Sequence, residues 1–214
     1  MAKIRVGVSG WSYASWRDGA FYPPGLARRR ELAWLSRRLP SLEVNGSFSG
    51  SIAPDTWESY REASPEGFVF AVKGSRFITH NKKLKDVATP LANFFASGVL
   101  RLEEKLGPVL WQLPAVSWEV ERVAAFLELL PRDTRRASRL ARRHDERMRG
   151  RTSFAVRRNR RLRNVLEVRH AQMLTPELVR ACRDHGVALA VSHSGDWPLV
   201  EELTAGFVYL RLHG

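Results

Sequence analysis

Seven short apolar runs, each followed by a longer stretch of helical character, constrain this chain more than any other feature. The runs are Ile4–Val8, Leu42–Asn45, Phe68–Lys73, Val109–Leu113, Val165–Arg169, Val187–Val191 and Phe207–Leu212. Each is apolar on both faces and bounded by turn residues, the pattern of strands buried within a parallel sheet. Helices are expected over Leu26–Leu39, Asp55–Ala63, Pro90–Leu106, Trp118–Leu130 and Thr175–His185. The last of these opens Thr-Pro-Glu, which combines a capping hydroxyl, a proline at the first helical position and an acid in the first turn.

Strands alternating with helices imply an α/β fold, either an open doubly wound sheet or a (β/α)8 barrel. The first run continues as GVSGW and then Tyr13 and Trp16, with no glycine-rich phosphate loop opening a helix. That favours a TIM-type (β/α) barrel with parallel strands, occupying residues 1–214 as one domain. Such barrels typically take about 250 residues. About seven strands are present here, so the final strand and helix are expected to be missing, which leaves the seventh strand at an edge.

The 214 residues carry 35 Lys+Arg against 22 Asp+Glu, a formal charge of +13. Residues 132–163 hold fourteen arginines, no lysine and three acids, so this Arg-rich helix/loop insertion alone contributes +11. It either attracts phosphate backbones, making nucleic acid a candidate partner, or is a solvated surface. Aromatic rings do not interleave with it as stacking platforms would. Cys182 is the only cysteine, which excludes an internal disulfide framework and a multi-cysteine zinc site. No apolar run approaches the roughly 18 residues of a membrane span, and Met1–Arg5 leads into VGVSGW without a signal peptide. A cytoplasmic protein with no membrane partner is expected, and its oligomeric state stays open.

The segments VGVSGWSYASWRDGAFYP, LEVNGSF, GFVFAVKGSRFITHNKKLKD, EKLGPVLWQLP, LEVRH and FVYLRLHG occur in that order between Ile4 and Gly214. Together they resemble the successive blocks of the domain of unknown function 72 family, also called YecE-like. The resemblance implies a TIM-type barrel with these blocks at the carboxyl ends of the strands, and it implies no known reaction. Members usually continue into an eighth strand and a final helix. Three departures stand out. His170 is followed by Ala171-Gln172-Met173 instead of Pro-Ser and an aromatic. The sixth strand ends Ser192-His193-Ser194, with Asp196 displaced towards the loop. Phe48 is followed by Ser49, where relatives carry a Phe-Tyr pair.

The residues suggest a site without that resemblance. Barrel interiors fill with apolar layers, and polar groups gather where strands meet loops. Polar or aromatic residues stand at the ends of six runs: Ser9 with Trp11 and Tyr13, Glu43 with Asn45, Lys73 with Arg76 and His80, Gln112, Glu167 with Arg169 and His170, and Arg211 with His213. Glu43, Glu167, His170 and His213 are the acid–base candidates. The others are candidate ligand-binding groups, with Lys73, Arg76, Arg169 and Arg211 suited to a carboxylate or phosphate. Thr79 and Lys83 add donors, and Trp11, Tyr13 and Trp16 offer an apolar wall. A Glu–Arg network that satisfies itself is the alternative. His144 and His185 read as surface residues and Cys182 as packing. The same Glu and His residues could ligate a divalent metal, although no close ligand pair such as HExxH exists.

Three functional readings follow. The first is a pocket for a small anionic ligand that would support hydrolase or isomerase chemistry. The second is a nucleic-acid-binding or phosphodiesterase-type protein, and the third a non-catalytic interaction module.

Overall fold

The computed structural model describes residues 3–195 and 197–213. Its seven strands are β1 (Gly7–Ser9), β2 (Ser41–Val44), β3 (Val69–Lys73), β4 (Leu106–Gln112), β5 (Asn164–Glu167), β6 (Ala188–His193) and β7 (Tyr209–Leu212). They lie side by side in chain order, and every neighbouring pair is parallel. β1 and β7 form the two edges. Side chains of β7 nevertheless reach Glu43 of β2, so the sheet curls round a hollow. The architecture is a TIM-like α/β half-barrel.

Alternation along each strand sorts side chains onto two faces. Outward-facing residues such as Leu42, Val44, Phe70, Val72, Trp111 and Leu166 are buried in one large core that includes helix residues Trp57, Leu91, Phe95, Phe126 and Leu178. A smaller apolar layer lines the hollow, built from Leu110, Val165, Ala188 and Ala190 with Tyr209 packed against it. One step further along the same inward rows stand Gln112, Glu167, Ser192 and Arg211. The inner face thus changes from apolar to polar within two residues of the strand ends.

Among the described residues, seven α-helices accompany the sheet: α1 (Glu31–Leu35), α2 (Gly46–Ser49), α3 (Pro54–Ala63), α4 (Ala88–Ala96), α5 (Val120–Leu129), α6 (Thr134–Ala141) and α7 (Pro176–His185). α7 follows its sequence signals. Thr175 Oγ1 accepts from the Leu178 amide, Pro176 opens the first turn, and Gly186 ends the helix at φ 62°. Two expected helices are shorter than their apolar spacing suggests. The Leu26–Leu39 pattern yields a 3-10 turn at Arg28–Arg30 and then only α1. The Pro90–Leu106 pattern breaks at Gly98 (φ 95°) and resumes as 3-10 turns over Val99–Lys105 before Leu106 enters β4. The first strand begins at Gly7 rather than at Ile4, and Ile4 and Val6 are exposed.

Within residues 132–163, α6 buries Thr134, Ala137, Ser138 and Ala141, and Asp133 caps it by accepting from the Arg136 amide at 2.8 Å. The following chain is pinned to the body. The Ser153 amide donates to the Ala96 carbonyl, and Asn93 Nδ2 donates to Asp145 Oδ1 at 3.0 Å. His144 and His185 are half-buried instead of lying free on the surface, His144 because its ring stacks on Phe154 at 5.7 Å. Cys182 is fully buried, which pushes its thiol up to about 12 and leaves it a packing group. Among the described residues, no helix is long and apolar enough to cross a membrane.

Gly74 follows β3 where the chain passes the Trp111 ring, and its amide donates to the Leu110 carbonyl at 2.8 Å. A Cβ there would run into the six-membered ring of Trp111. Gly74→Ala is therefore expected to cost about 1–3 kcal/mol in urea unfolding. In a double-mutant cycle Trp111→Phe, which lacks the clashing atoms, should recover part of that loss.

Candidate functional site

Register in the curled sheet places the polar strand ends at one level. Ser9 pairs with Glu43, Gln112 with Glu167, and Ser192 with Arg211. Paired residues of neighbouring strands project to the same side, so these three pairs share the inner face. Lys73, two residues beyond Ala71, joins them because Ala71 pairs with Glu43.

Arg211 is the centre of the cluster. Its Nε and Nη2 donate to Glu43 Oε2 and Oε1 at 3.2 and 3.0 Å, and its Nη1 donates to Glu167 Oε2 at 2.7 Å. Glu167 Oε1 accepts from Arg169 Nε at 2.8 Å. Glu43 also accepts from Tyr209 Oη at 2.7 Å and from Ser9 Oγ at 2.9 Å, and Asn45 Nδ2 donates to Ser9 Oγ at 2.9 Å. Glu167 is completely buried and Glu43 is 6% exposed. Two buried carboxylates are tolerable here because every carboxylate oxygen has at least one donor.

The electrostatics follow from this wiring. Burial works against the charge of Arg211, but Glu43 and Glu167 outweigh it and raise its pKa. Burial pushes the Tyr209 phenol well above its ordinary value, and the adjacent Glu43 pushes it the same way, so Tyr209 stays a neutral donor. Lys73 is lowered by burial first, then by Arg211 and Arg169, with Glu43 and Glu167 pulling back. Its Nζ sits 4.2 Å over the Phe48 ring, and among the described residues it has no ion-pair partner. His213 is lowered by burial and then by Arg211, and its ring meets Trp197 at 4.8 Å. Trp197 also stacks under the Arg169 guanidinium at 3.7 Å. His80 is lowered by burial, then by Arg76 and Lys73, while its Nδ1 pairs with Thr79 Oγ1 at 2.8 Å.

Ser9, Glu43, Asn45, Glu167, Arg169 and Arg211 thus form one bonded network, with Lys73 and Gln112 on the same inner face. Other candidates lie differently. Arg76 faces a separate cavity beside α4. Trp11 meets Tyr60 edge-on at 5.1 Å, whereas Tyr13 packs on Trp16 at 4.8 Å and donates its hydroxyl to the Ser9 carbonyl, so the three rings do not make one wall. Thr79 is buried and Lys83 exposed. Glu43 and Glu167 are not a free acid–base pair, since guanidiniums hold both. Among the described residues, no three His, Cys, Asp or Glu side chains come together as a metal-holding group. Asp196 lies outside the described residues. Sequence reasoning missed Tyr209 and Trp197. Period-two alternation with Arg211 marks Tyr209, whereas Trp197 sits in an irregular loop with no periodic signal.

Buried atoms without partners complete the site. Asn45 Oδ1, Gln112 Oε1, His170 Nδ1, Ser192 Oγ and His213 Nε2 are buried with no hydrogen-bond partner. They come from the ends of β2, β4, β5, β6 and β7, and only Trp57 Nε1 and Arg61 Nε on α3 share that condition among the described residues.

Removing Arg211 should leave buried Glu43 with no guanidinium and buried Glu167 with that of Arg169 alone. Arg211→Met is expected to lose about 3–5 kcal/mol of stability at neutral pH. Adding Glu43→Gln and Glu167→Gln should restore most of the loss. Urea denaturation curves of the single and triple variants at neutral pH check both expectations.

The family model for "Protein of unknown function DUF72" matches residues 5–214. In structure the chain is similar to a DUF72 family protein from Thermotoga maritima MSB8, with TM-score 0.69 and 23% identity over 98% of this chain and 74% of that one. It is also similar to a DUF72 family protein from Enterococcus faecalis V583, with TM-score 0.65 and 16% identity over 98% of this chain and 73% of that one. No curated protein matches it significantly. The ordered sequence blocks, the seven-stranded half-barrel and the family match agree: this chain belongs to the DUF72 family of proteins of unknown function.

Proposed function

We propose that the carboxyl ends of the strands bind a small polyhydroxylated anion, such as a sugar acid or sugar phosphate. The observation that carries this reading is the group of five orphaned buried atoms on five strands. Buried polar atoms are nearly always paired in folded proteins, so five at one end of one sheet mark a place where a guest supplies the partners. Asn45 Oδ1 and Gln112 Oε1 accept, while Ser192 Oγ and the two imidazole nitrogens accept or donate. That set matches several hydroxyl groups better than one large anion.

Charge selects the rest of the ligand. Arg211 and Arg169 are already committed to Glu43 and Glu167, which leaves Lys73 as the cation with no carboxylate of its own. One anionic group on the ligand therefore suffices. The Glu–Arg network acts as a rigid floor that positions the polar rim. His170 and His213 each keep a ring nitrogen for proton transfer, and they are the groups on which hydrolase or isomerase chemistry would depend.

Calorimetric titration tests this reading. D-Gluconate or glucose 6-phosphate should bind saturably, and glucose should bind at least tenfold more weakly. Lys73→Met should weaken the anions by about tenfold, the loss of one charge-assisted contact. Ser192→Ala should weaken all three ligands. Equal affinity for glucose and gluconate, or anion binding indifferent to Lys73→Met, would overturn it.

A second reading, nucleic-acid binding, is favoured by α6. Its buried residues face the body, which leaves Arg135, Arg139, Arg142 and Arg143 exposed on the outer side. If these arginines meet phosphates, affinity for a random DNA duplex should fall steeply between 50 and 200 mM salt. Replacing the four by Gln should flatten that dependence.

A further inference from the structure

A cavity of about 440 Å³ lies outside the hollow of the sheet, between α2, the turn after β3, α4 and the Arg-rich segment. Its size falls within the usual range for small-molecule pockets, roughly 300–1,000 Å³. None of the strand-end residues Glu43, Lys73, Glu167 or Arg211 lines it. Three arginines do: Arg76 from the turn after β3, and Arg147 and Arg151 from the Arg-rich segment. Among the described residues, no Asp or Glu is part of the lining.

The loop that carries Arg147 and Arg151 is fixed to α4, and its guanidiniums are at most loosely paired. Asp145, the neighbouring acid, is tied to α4 in both directions: its Oδ1 accepts from Asn93 Nδ2 at 3.0 Å, and its amide donates to Asn93 Oδ1 at 3.1 Å. The same Oδ1 caps the following turn by accepting from the Arg147 amide at 3.1 Å. The Asp145 carboxylate comes no closer than 3.9 Å to the Arg147 guanidinium. Arg151 Nη2 donates to the Arg147 carbonyl at 2.9 Å, which adds no negative charge. Arg76 has no ion-pair partner among the described residues. The Asn93–Asp145 latch thus fixes a loop that presents guanidiniums to a space already facing Arg76.

The remaining walls are apolar and aromatic. Phe48, Phe77 and Phe94 line the cavity, and Phe77 is 42% exposed. Three guanidiniums suit a phosphate monoester, which carries close to two charges and three acceptor oxygens, better than a single carboxylate. The phenylalanines suit a flat organic body attached to it.

We propose that this cavity is a second ligand site, separate from the strand-end site, that binds an organic phosphate monoester with an aromatic body. Arg76, Arg147 and Arg151 hold the phosphate, and Phe48 and Phe77 hold the ring. The site does not depend on the polyol reading above, because Arg76, Arg147 and Arg151 take no part in the strand-end network and none of the five orphaned strand-end atoms lines the cavity.

The test is titration of the 214-residue chain with phenyl phosphate, adenosine 5′-monophosphate and inorganic phosphate. Phenyl phosphate should bind saturably and more tightly than inorganic phosphate. Arg76→Gln and Arg151→Gln, both at exposed positions that should leave the fold intact by circular dichroism, should each weaken it by about tenfold. Phe77→Ala should weaken phenyl phosphate and leave inorganic phosphate unchanged. Ser192→Ala, at the strand-end site, should change neither. The proposal is overturned if the folded wild-type chain binds neither aromatic phosphate, or if binding survives both arginine substitutions. Binding lost on Ser192→Ala or Lys73→Met but kept in Arg76→Gln and Arg151→Gln overturns it as well, since the ligand then sits in the hollow.

Discussion

Arg211 is the interaction on which the rest of this molecule depends. An open parallel sheet has no backbone hydrogen bonds joining its edges, and β7 touches only β6 along its ladder. The Arg211 guanidinium supplies a cross-connection, with Glu43 of β2 on one side and Glu167 of β5 on the other. Tyr209, two residues earlier on the same face, adds a second link to Glu43. A buried ion cluster of this kind adds little net stability over a well-packed apolar one, because desolvation offsets most of the attraction. What it does provide is a defined geometry: three strands are held at fixed separation by groups that cannot tolerate being left unpaired.

Much of this was legible in the sequence. The seven apolar runs, their parallel pairing and the concentration of polar residues at strand ends follow from period-two patterning and from the lack of room for charge inside a barrel. The partners were not legible. Nothing in linear order says that Arg211 meets Glu43 rather than a ligand, because the two are far apart in the chain and are brought together by the curl of the sheet. Helix lengths were also overestimated. Leu26–Leu39 and Pro90–Leu106 carry helical spacing beyond the helix itself because loop residues, too, bury apolar side chains in the shared core, and Gly98 ends α4's run in a backbone conformation that few other residues adopt.

The arginine-rich segment shows how composition misleads when read without contacts. Its charge suggests a uniform basic surface. In the fold its arginines serve different ends: Arg136 pairs with Asp133 within α6, Arg157 and Arg160 meet Glu103 and Glu104, and Arg142 lies over Phe154. Small residues on one side of α6 let it lie close against α4, and that packing positions the loop that follows.

Phe48 separates the two candidate sites. One of its faces carries the Lys73 ammonium at 4.2 Å, its ring meets His80 at 5.2 Å, and the same side chain walls the outer cavity. Its ring therefore belongs both to the surroundings of Lys73 and to the wall of the outer cavity. Removing that ring would take the π-face from Lys73 and open the wall of the outer cavity in one step, without any movement of the sheet.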